Sequence, residues 1–231
     1  MSSSQQRLDV LYEDNHLLVV NKPAQLPTMG VAVGKPSLLH AAKDYIRTKY
    51  NKPGNVYLGV VSRLDAPVTG VVAIARTSKA ARRLSAAFRE RKVVKTYWAA
   101  VEGTPGVPEQ VLEHYLRKDE RHRRVHVTNP DSAGAQLARL CYRVLSSDQN
   151  VTLLQIQLET GRKHQIRVQL AKIGHPVLGD RKYGSRVEFA RGIALHARSL
   201  QLTHPVGLQV MQVEATVPDD WRRHDPLAHL V

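Results

Sequence analysis

The chain's 231 residues include 34 Lys and Arg against 20 Asp and Glu, a formal net charge of +14 at pH 7. Such an excess favours a polyanionic partner such as a nucleic acid. The single cysteine, Cys141, excludes an internal disulfide and a zinc site built from cysteines. Residues 1–7 lack the apolar core of a signal peptide, and no apolar run is long enough to span a bilayer. We therefore expect a cytoplasmic protein with no membrane partner.

The N-terminal part of the chain predicts a hairpin, an irregular loop and a helix. The polar residues 1–7 are expected to be disordered. Ser37 is a typical N-cap for the helix, whose apolar residues recur on one side. The predicted elements are strands at 8–12 and 16–20, a proline-containing loop at 24–36 and a helix at 38–49.

The stretch Val60–Gly70 carries the most informative acidic residue. The apolar residues 58–61 predict a buried strand, and Pro67 holds the residue before it in an extended conformation. Side chains alternate along an extended segment, so Arg63 and Asp65 are predicted to share a face. Asp65 is then fixed at a strand end, as a nucleophile or general base requires. The commoner role for such an aspartate is to cap a surface turn.

The middle of the chain is rich in basic residues. Ser78 is a candidate N-cap for a helix to about residue 91, and the next strand is predicted at 93–101. Lys92 and Lys95 extend the basic surface of this helix. Residues 104–136 are the least regular part, and we interpret them as an extended hairpin or insertion that contacts phosphates.

The C-terminal part returns to regular alternation. No repeat, linker or low-complexity segment interrupts the chain, so we predict a single domain over residues 1–231. We also expect a monomer. The predicted elements are antiparallel strands at 137–145 and 151–159, a helix at 163–173 ended by Gly174, and final strands at 193–203 and 209–217.

Four separated motifs, taken together and in this order, resemble the RluA-type pseudouridine synthases (the catalytic domain of the RsuA/RluA family). The resemblance extends from about residue 10 to residue 217. The motifs are Leu17–Pro23, then Ser62–Asp65 with Thr69–Gly70, then Lys95–Tyr97 with Val101–Gly103, and finally Thr160–Arg167 with Gly174–Pro176 and Gly179–Asp180.

The resemblance implies an α+β fold, with a mixed, mainly antiparallel β-sheet, flanking helices and a central basic cleft. It implies an isomerase that converts uridine to pseudouridine in structured rRNA or tRNA, without metal or other cofactor. Asp65 matches the family's catalytic aspartate, and Arg167 matches the basic residue that pairs with it. Tyr97 matches the active-site tyrosine, which packs on the uracil or acts as the base at C5. The residues expected to bind RNA are Arg63, Lys92, Lys95, Arg162, Lys163, His164 and Gln165.

Three positions depart from the family's usual pattern. Ser62 stands where histidine is usual, Lys163 where threonine is usual, and Gln169 where histidine is frequent. These differences bear on the choice of target more than on the reaction class. We also expect no separate N-terminal RNA-binding domain of the kind that some relatives carry.

The isomerisation breaks the N1–C1′ bond, turns the uracil and joins C5 to C1′. A carboxylate such as that of Asp65 could attack the base, attack the ribose or remove a proton. The base has to leave its stack first, because a helix buries the reacting atoms. A confined carboxylate stays ionised only with a cationic partner, and Arg167 would supply one.

Two other functions compete with this interpretation. One is a catalytically inactive RNA-binding protein of the same fold, against which the joint presence of Asp65, Tyr97 and Arg167 argues. The other is a metal-dependent RNA hydrolase, which is disfavoured because no two of the candidate histidines are spaced i, i+4 as in zinc motifs. Its candidate ligands are His164, His175, His196, His204 and Asp180.

Overall fold

The computed structural model describes residues 8–32, 34–148, 150–223 and 227. The predicted disorder of residues 1–7 falls outside them. The chain divides into two compact units, one running up to Val93 and including Ser199–Ala215, the other Val94–Arg198 with the residues from Thr216 onward. Whether they act as the single catalytic domain predicted over 1–231 stays a prediction.

The secondary structure belongs to the predicted α+β class, with a mixed, mainly antiparallel sheet and a few helices. The strands are β1 (Asp9–Glu13), β2 (Leu17–Lys22), β3 (Gly59–Val60), β4 (Thr69–Ala75), β5 (Val94–Glu102), β6 (Glu109–Asp119), β7 (Arg124–Thr128), β8 (Gln136–Asp148), β9 (Val151–Leu158), β10 (Leu195–Thr203) and β11 (Val210–Glu214). The helices are α1 (Leu38–Lys49), α2 (Ser78–Arg89), α3 (Gln165–Lys172) and α4 (Asp219–Arg222), with a 3₁₀ turn at Arg181–Tyr183.

In the first unit, β2 pairs antiparallel with β1 and β4, and β3 pairs antiparallel with β4. Strand β4 is buried along its whole length. Side chains alternate between the two faces, so Leu18 and Ile74 pack with α1 while Leu17 and Ala73 pack with α2. Burial of one leucine such as Leu84 stabilises the fold by about 1.5–3 kcal/mol. The many apolar residues in these two cores therefore hold β2 and β4 in place.

The caps of α1 and α2 show where local sequence succeeded and where it failed. The Ser37 hydroxyl accepts the His40 N–H at 3.3 Å, as predicted for the start of α1. The prediction of Ser78 as the cap of α2 was wrong, because Thr77 is extended and its side chain accepts the Ala80 N–H at 3.2 Å. The helix also ends at Arg89, two residues before the predicted end.

In the second unit, the strands are ordered β5-β9-β8-β6-β7 with antiparallel pairing throughout. Residues 104–136, expected to be a hairpin or an insertion, contain the long β6–β7 hairpin. Helix α3 is shorter than the predicted 163–173, since His164 is left-handed at φ 55° and Gly174 at φ 87°. Among the described residues, no helix is both long and apolar enough to cross a membrane.

Candidate active site

The segment that carries Asp65 is tied to the core of the first unit at several points. The buried Thr28 hydroxyl accepts the Leu64 N–H at 3.1 Å and donates to the Leu64 carbonyl at 2.9 Å. The Val68 N–H donates to the Asp65 carbonyl at 3.1 Å. Leu64 packs against the α1 core while Arg63 is exposed and Asp65 half-buried, as the predicted alternation requires. The backbone on either side of the carboxylate is therefore held in place.

Ser62, which replaces the family's usual histidine, has a structural contact. Its hydroxyl accepts the Ala73 N–H at 3.0 Å and lies 3.4 Å from the Ala73 carbonyl. Strand β3 has ended two residues earlier, so the hydroxyl continues the contact with β4 where backbone pairing stops. A side chain bonded to backbone groups in this way replaces a missing strand partner.

Lys22, at the end of β2, is a functional candidate that the sequence analysis missed. Its side chain is completely buried, and Nζ donates to the carbonyls of Pro23 at 2.8 Å, Leu26 at 2.8 Å and Ala66 at 3.1 Å. These three acceptors match the three donors of an ammonium group. Burial lowers the pKa of Lys22 to about 7, and the opposite charge of Asp65 acts to raise it. Lys22 thus links β2 to the residue that follows Asp65, with its charge close to that carboxylate.

One sequence signal pointed to Lys22. A lysine that follows a run of apolar strand residues is unusual, because a buried ammonium loses its hydration. The Asn21-Lys22-Pro23 motif contributed to the family resemblance, but its lysine was given no role.

The second unit holds the other two predicted catalytic residues. Tyr97 is half-buried on β5, opposite Ile156 of β9. Arg167 lies on α3 with 5% of its surface exposed, so it is not an ordinary surface arginine. Its Nε donates to Asp180 Oδ2 at 2.6 Å and its Nη2 to Asp180 Oδ1 at 2.8 Å. The predicted pairing of Arg167 with Asp65 stays a prediction.

The predicted RNA-binding residues differ in exposure. Arg63, Lys92, Arg162 and Lys163 are exposed, and Lys95 and His164 are half-buried. Gln165 is buried: its amide oxygen accepts from the Thr160 hydroxyl at 2.8 Å and the Arg162 N–H at 3.0 Å, and its nitrogen donates to the Arg139 carbonyl at 3.0 Å. Its side chain organises the start of α3 rather than facing solvent, because all of these partners lie within the protein.

The residues proposed as metal ligands are involved in other contacts. Asp180 binds Arg167, His204 Nε2 lies 2.8 Å from Asp14, and His175 Nδ1 lies 2.9 Å from the Glu102 carbonyl. Within the part of the chain that the structure describes, no group of three or more His, Cys, Asp or Glu side chains is arranged to hold a metal ion.

Lys22 lies next to the Asp65 segment, and Arg167 on α3 is paired with Asp180. Both lie within the motifs that resemble a known family. The family of RNA pseudouridylate synthases has a model that matches residues 16–172 of this chain. The match covers more than half of the 231 residues. The chain therefore belongs to the RNA pseudouridylate synthase family, and the predicted RluA-type resemblance is confirmed.

The relatives agree with this assignment. The ribosomal large subunit pseudouridine synthase D of Yersinia pestis is 35% identical over 92% of this chain and 68% of its own length. An uncharacterized RNA pseudouridine synthase of Bacillus subtilis (strain 168), YhcT, is 33% identical over 93% of this chain and 70% of its own length. The solved structure of human RNA pseudouridylate synthase domain containing 4 gives a TM-score of 0.78 at 26% identity, over 96% of this chain and 92% of that one. The protein is an RNA pseudouridine synthase, and the predicted reaction class and RNA partner are confirmed.

Proposed function

We propose that this enzyme isomerises specific uridines in ribosomal RNA, with Asp65 as the catalytic aspartate. The observation that carries the proposal is the fixed Asp65 segment, held by Thr28 and by the buried ammonium of Lys22. A nucleophile or general base works best when its own backbone is immobile, because less reorganisation is needed at the moment of reaction. The name of the Yersinia pestis relative supports ribosomal RNA over transfer RNA as the target.

Lys22 in its protonated form, which the folded chain holds below about pH 7, supports this role for Asp65 on electrostatic grounds. Asp65 acts as a carboxylate whether it attacks carbon or removes a proton, and a positive charge nearby attracts that negative charge. Lys22 gives its three hydrogen bonds to backbone carbonyls, so it acts on Asp65 through space.

Arg167 and Tyr97 complete the proposed machinery. The Arg167 guanidinium is always charged, and its pair with Asp180 uses the Nε–Nη2 edge. The family resemblance implies that this guanidinium also pairs with the carboxylate of Asp65. Tyr97 would pack on the flipped uracil or serve as the base at C5. The flipped nucleotide would leave a gap in the RNA that the exposed Arg63 fills.

The proposed RNA surface is the basic one identified in the sequence. Helix α2 exposes Arg82, Arg83 and Arg89, and the exposed Lys92 follows the helix. Exposed arginine and lysine side chains bind phosphates without reading sequence, so they would position the RNA and leave the choice of uridine to RNA shape and to contacts with its bases. We further propose that the protein works in the cytoplasm as a monomer, away from membranes.

The test is release of tritium from RNA labelled at uridine C5, because the isomerisation displaces that hydrogen and leaves the mass unchanged. Asp65→Asn keeps the size of the side chain and removes its charge. The matched control is Asp44→Asn, an exposed aspartate on α1 that pairs with Arg47 at 2.6 Å. We expect no turnover from Asp65→Asn, parent-like turnover from Asp44→Asn, and retained RNA binding by both.

Turnover of Asp65→Asn near the parent rate would reject the assignment of Asp65. Parallel reactions with purified large-subunit ribosomal RNA and with bulk transfer RNA decide the target class: tritium release from transfer RNA alone would reject ribosomal RNA. RNA binding by the parent without any turnover on either RNA would favour the inactive RNA-binding alternative.

A further inference from the structure

The Arg167 guanidinium is held on one edge and one face by two residues that have no role in the reaction so far. Asp180 takes its Nε–Nη2 edge in a bidentate pair, with 6% of the arginine side chain and 1% of the aspartate side chain exposed. The ring of Tyr183 lies over the guanidinium, with its centroid 5.0 Å from Cζ. Edge and face contacts together leave the planar group a single orientation.

The segment that supplies both residues is itself fixed. The Asp180 carbonyl accepts the N–H groups of Tyr183 at 2.9 Å and Ser185 at 3.1 Å. Gly179 precedes it at φ 78°, where an added Cβ would lie 2.6 Å from the Cβ of Phe189, so only glycine fits. A side chain that starts from such a backbone has few alternative positions.

Tyr183 is also tied to the rest of the second unit through its hydroxyl. Val125 of β7 donates its N–H to this oxygen at 3.1 Å, and His164 Nδ1 lies 2.6 Å from it. The ring position over Arg167 is therefore set by the β6–β7 hairpin and by the start of α3.

A buried ion pair is a poor means of gaining stability, because both charges lose their hydration, and a well-packed apolar pair often does as well. What such a pair does provide is a fixed geometry. Arg167 occupies the position where the family resemblance places the partner of the catalytic aspartate, so a fixed guanidinium at this position has a chemical use.

We propose that Asp180 and Tyr183 form a clamp that positions Arg167 for the isomerisation step. Asp180 fixes the rotation of the guanidinium in its plane, and the Tyr183 ring fixes the plane. Neither residue is proposed to touch the RNA. This inference rests on the proposed function, in which Arg167 acts beside Asp65.

The first test replaces Asp180 by Asn, which keeps the shape and removes the charge that selects one edge of the guanidinium. Tritium release is measured as kcat and KM per folded molecule, with the folded fraction from circular dichroism at the assay temperature. We expect kcat to fall by about tenfold or more and KM for RNA to stay within about twofold, because misplacing a positioned group affects the chemical step. The control Glu159→Gln, which breaks the exposed pair with Arg139 in the same unit, should leave both constants unchanged.

The second test uses Tyr183, in case Asp180→Asn does not fold. Tyr183→Phe keeps the ring over Arg167 and loses the hydroxyl, whereas Tyr183→Leu loses the ring. The clamp predicts a large fall in kcat for Tyr183→Leu and a smaller one for Tyr183→Phe, which keeps the ring but loses the hydroxyl contacts with Val125 and His164. Equal kcat values for these two variants, or a rise in KM alone for the variants at either residue, would overturn the proposal. If Asp65→Asn is inactive while Asp180→Asn and Tyr183→Leu match the parent, only the clamp fails and the proposed function stands.

Discussion

Replacing Lys22 by Met should change how the stability of the fold depends on pH. The parent buries an ammonium whose pKa is about 7 in the folded chain against an ordinary value of 10.5. Below about pH 7 both the folded and the unfolded chain hold this proton, and the cost of burying the charge is complete. Between about 7 and 10.5 the folded chain has released the proton that the unfolded chain still holds. Stability therefore rises with pH across this window.

The size of the effect follows from the two pKa values. The gap between 10.5 and about 7 corresponds to a burial cost of roughly 5 kcal/mol at low pH, at ~1.36 kcal/mol per pH unit. Raising the pH from 7 to 9 removes roughly 2 kcal/mol of it. Lys22→Met has no proton to release, so the parent should gain that amount relative to the variant. At any one pH the variant also leaves the carbonyls of Pro23, Leu26 and Ala66 without this donor, which costs about 1–3 kcal/mol for each group that stays unpaired.

The assay is urea unfolding of parent and variant at pH 7, 8 and 9, followed by circular dichroism, with the exposed Lys52→Met as control. The quantity compared is the difference in unfolding free energy between parent and variant at each pH. A difference that stays constant from pH 7 to 9 would refute the argument that Lys22 is buried with a lowered pKa. Asp65→Asn provides a further check. Removing the negative charge should lower the pKa of Lys22 further, so the stability of this variant should begin to rise at a lower pH than that of the parent.

Further measurements check other parts of the structure. Ser62→Ala should lower the free energy of unfolding by about 1 kcal/mol, because the Ala73 N–H loses its partner; no change in urea unfolding would show that the contact is not formed in solution. Leu84→Ala should cost about 2–5 kcal/mol in the same assay, since Leu84 lies on the buried face of α2 in the same core as β2 and β4, and a loss below 1 kcal/mol would contradict that packing. RNA affinity should fall by ~10³-fold or more between 50 and 200 mM salt, and a flat profile would count against the basic surface. Tritium release should survive excess EDTA, and a complete loss restored by zinc would revive the metal-dependent alternative.

Sequence alone located most of the elements, because short-range patterns determine them. Ser37 followed by apolar residues at helical spacing predicted α1 with its observed bounds. Where two caps were chemically equivalent the local signal failed: Thr77 and Ser78 are both good N-caps, and only the extended backbone of Thr77 decides between them. The sequence of residues 104–136 did not distinguish a hairpin from an insertion, because a long exposed hairpin has little hydrophobic alternation. The pairing of β6 with β8, which lies outside that local pattern, fixes the position of β6 in the sheet.

The motifs around Asp65, Tyr97 and Arg167 identified the family from the sequence, because their order and spacing are specific to it. The partners of these residues depended on contacts distant in the chain. Lys22 reaches the carbonyl of Ala66, 44 residues away, and Arg167 reaches Asp180, 13 residues away, beyond one helical turn. Gln165 looked like an RNA ligand from its motif, yet burial against Thr160 and Arg139 commits its amide to the fold. Local sequence carries propensity and pattern, whereas burial and long-range pairing exist only once the strands and helices have packed, so the charge state of Lys22 and the orientation of Arg167 were decided by tertiary structure.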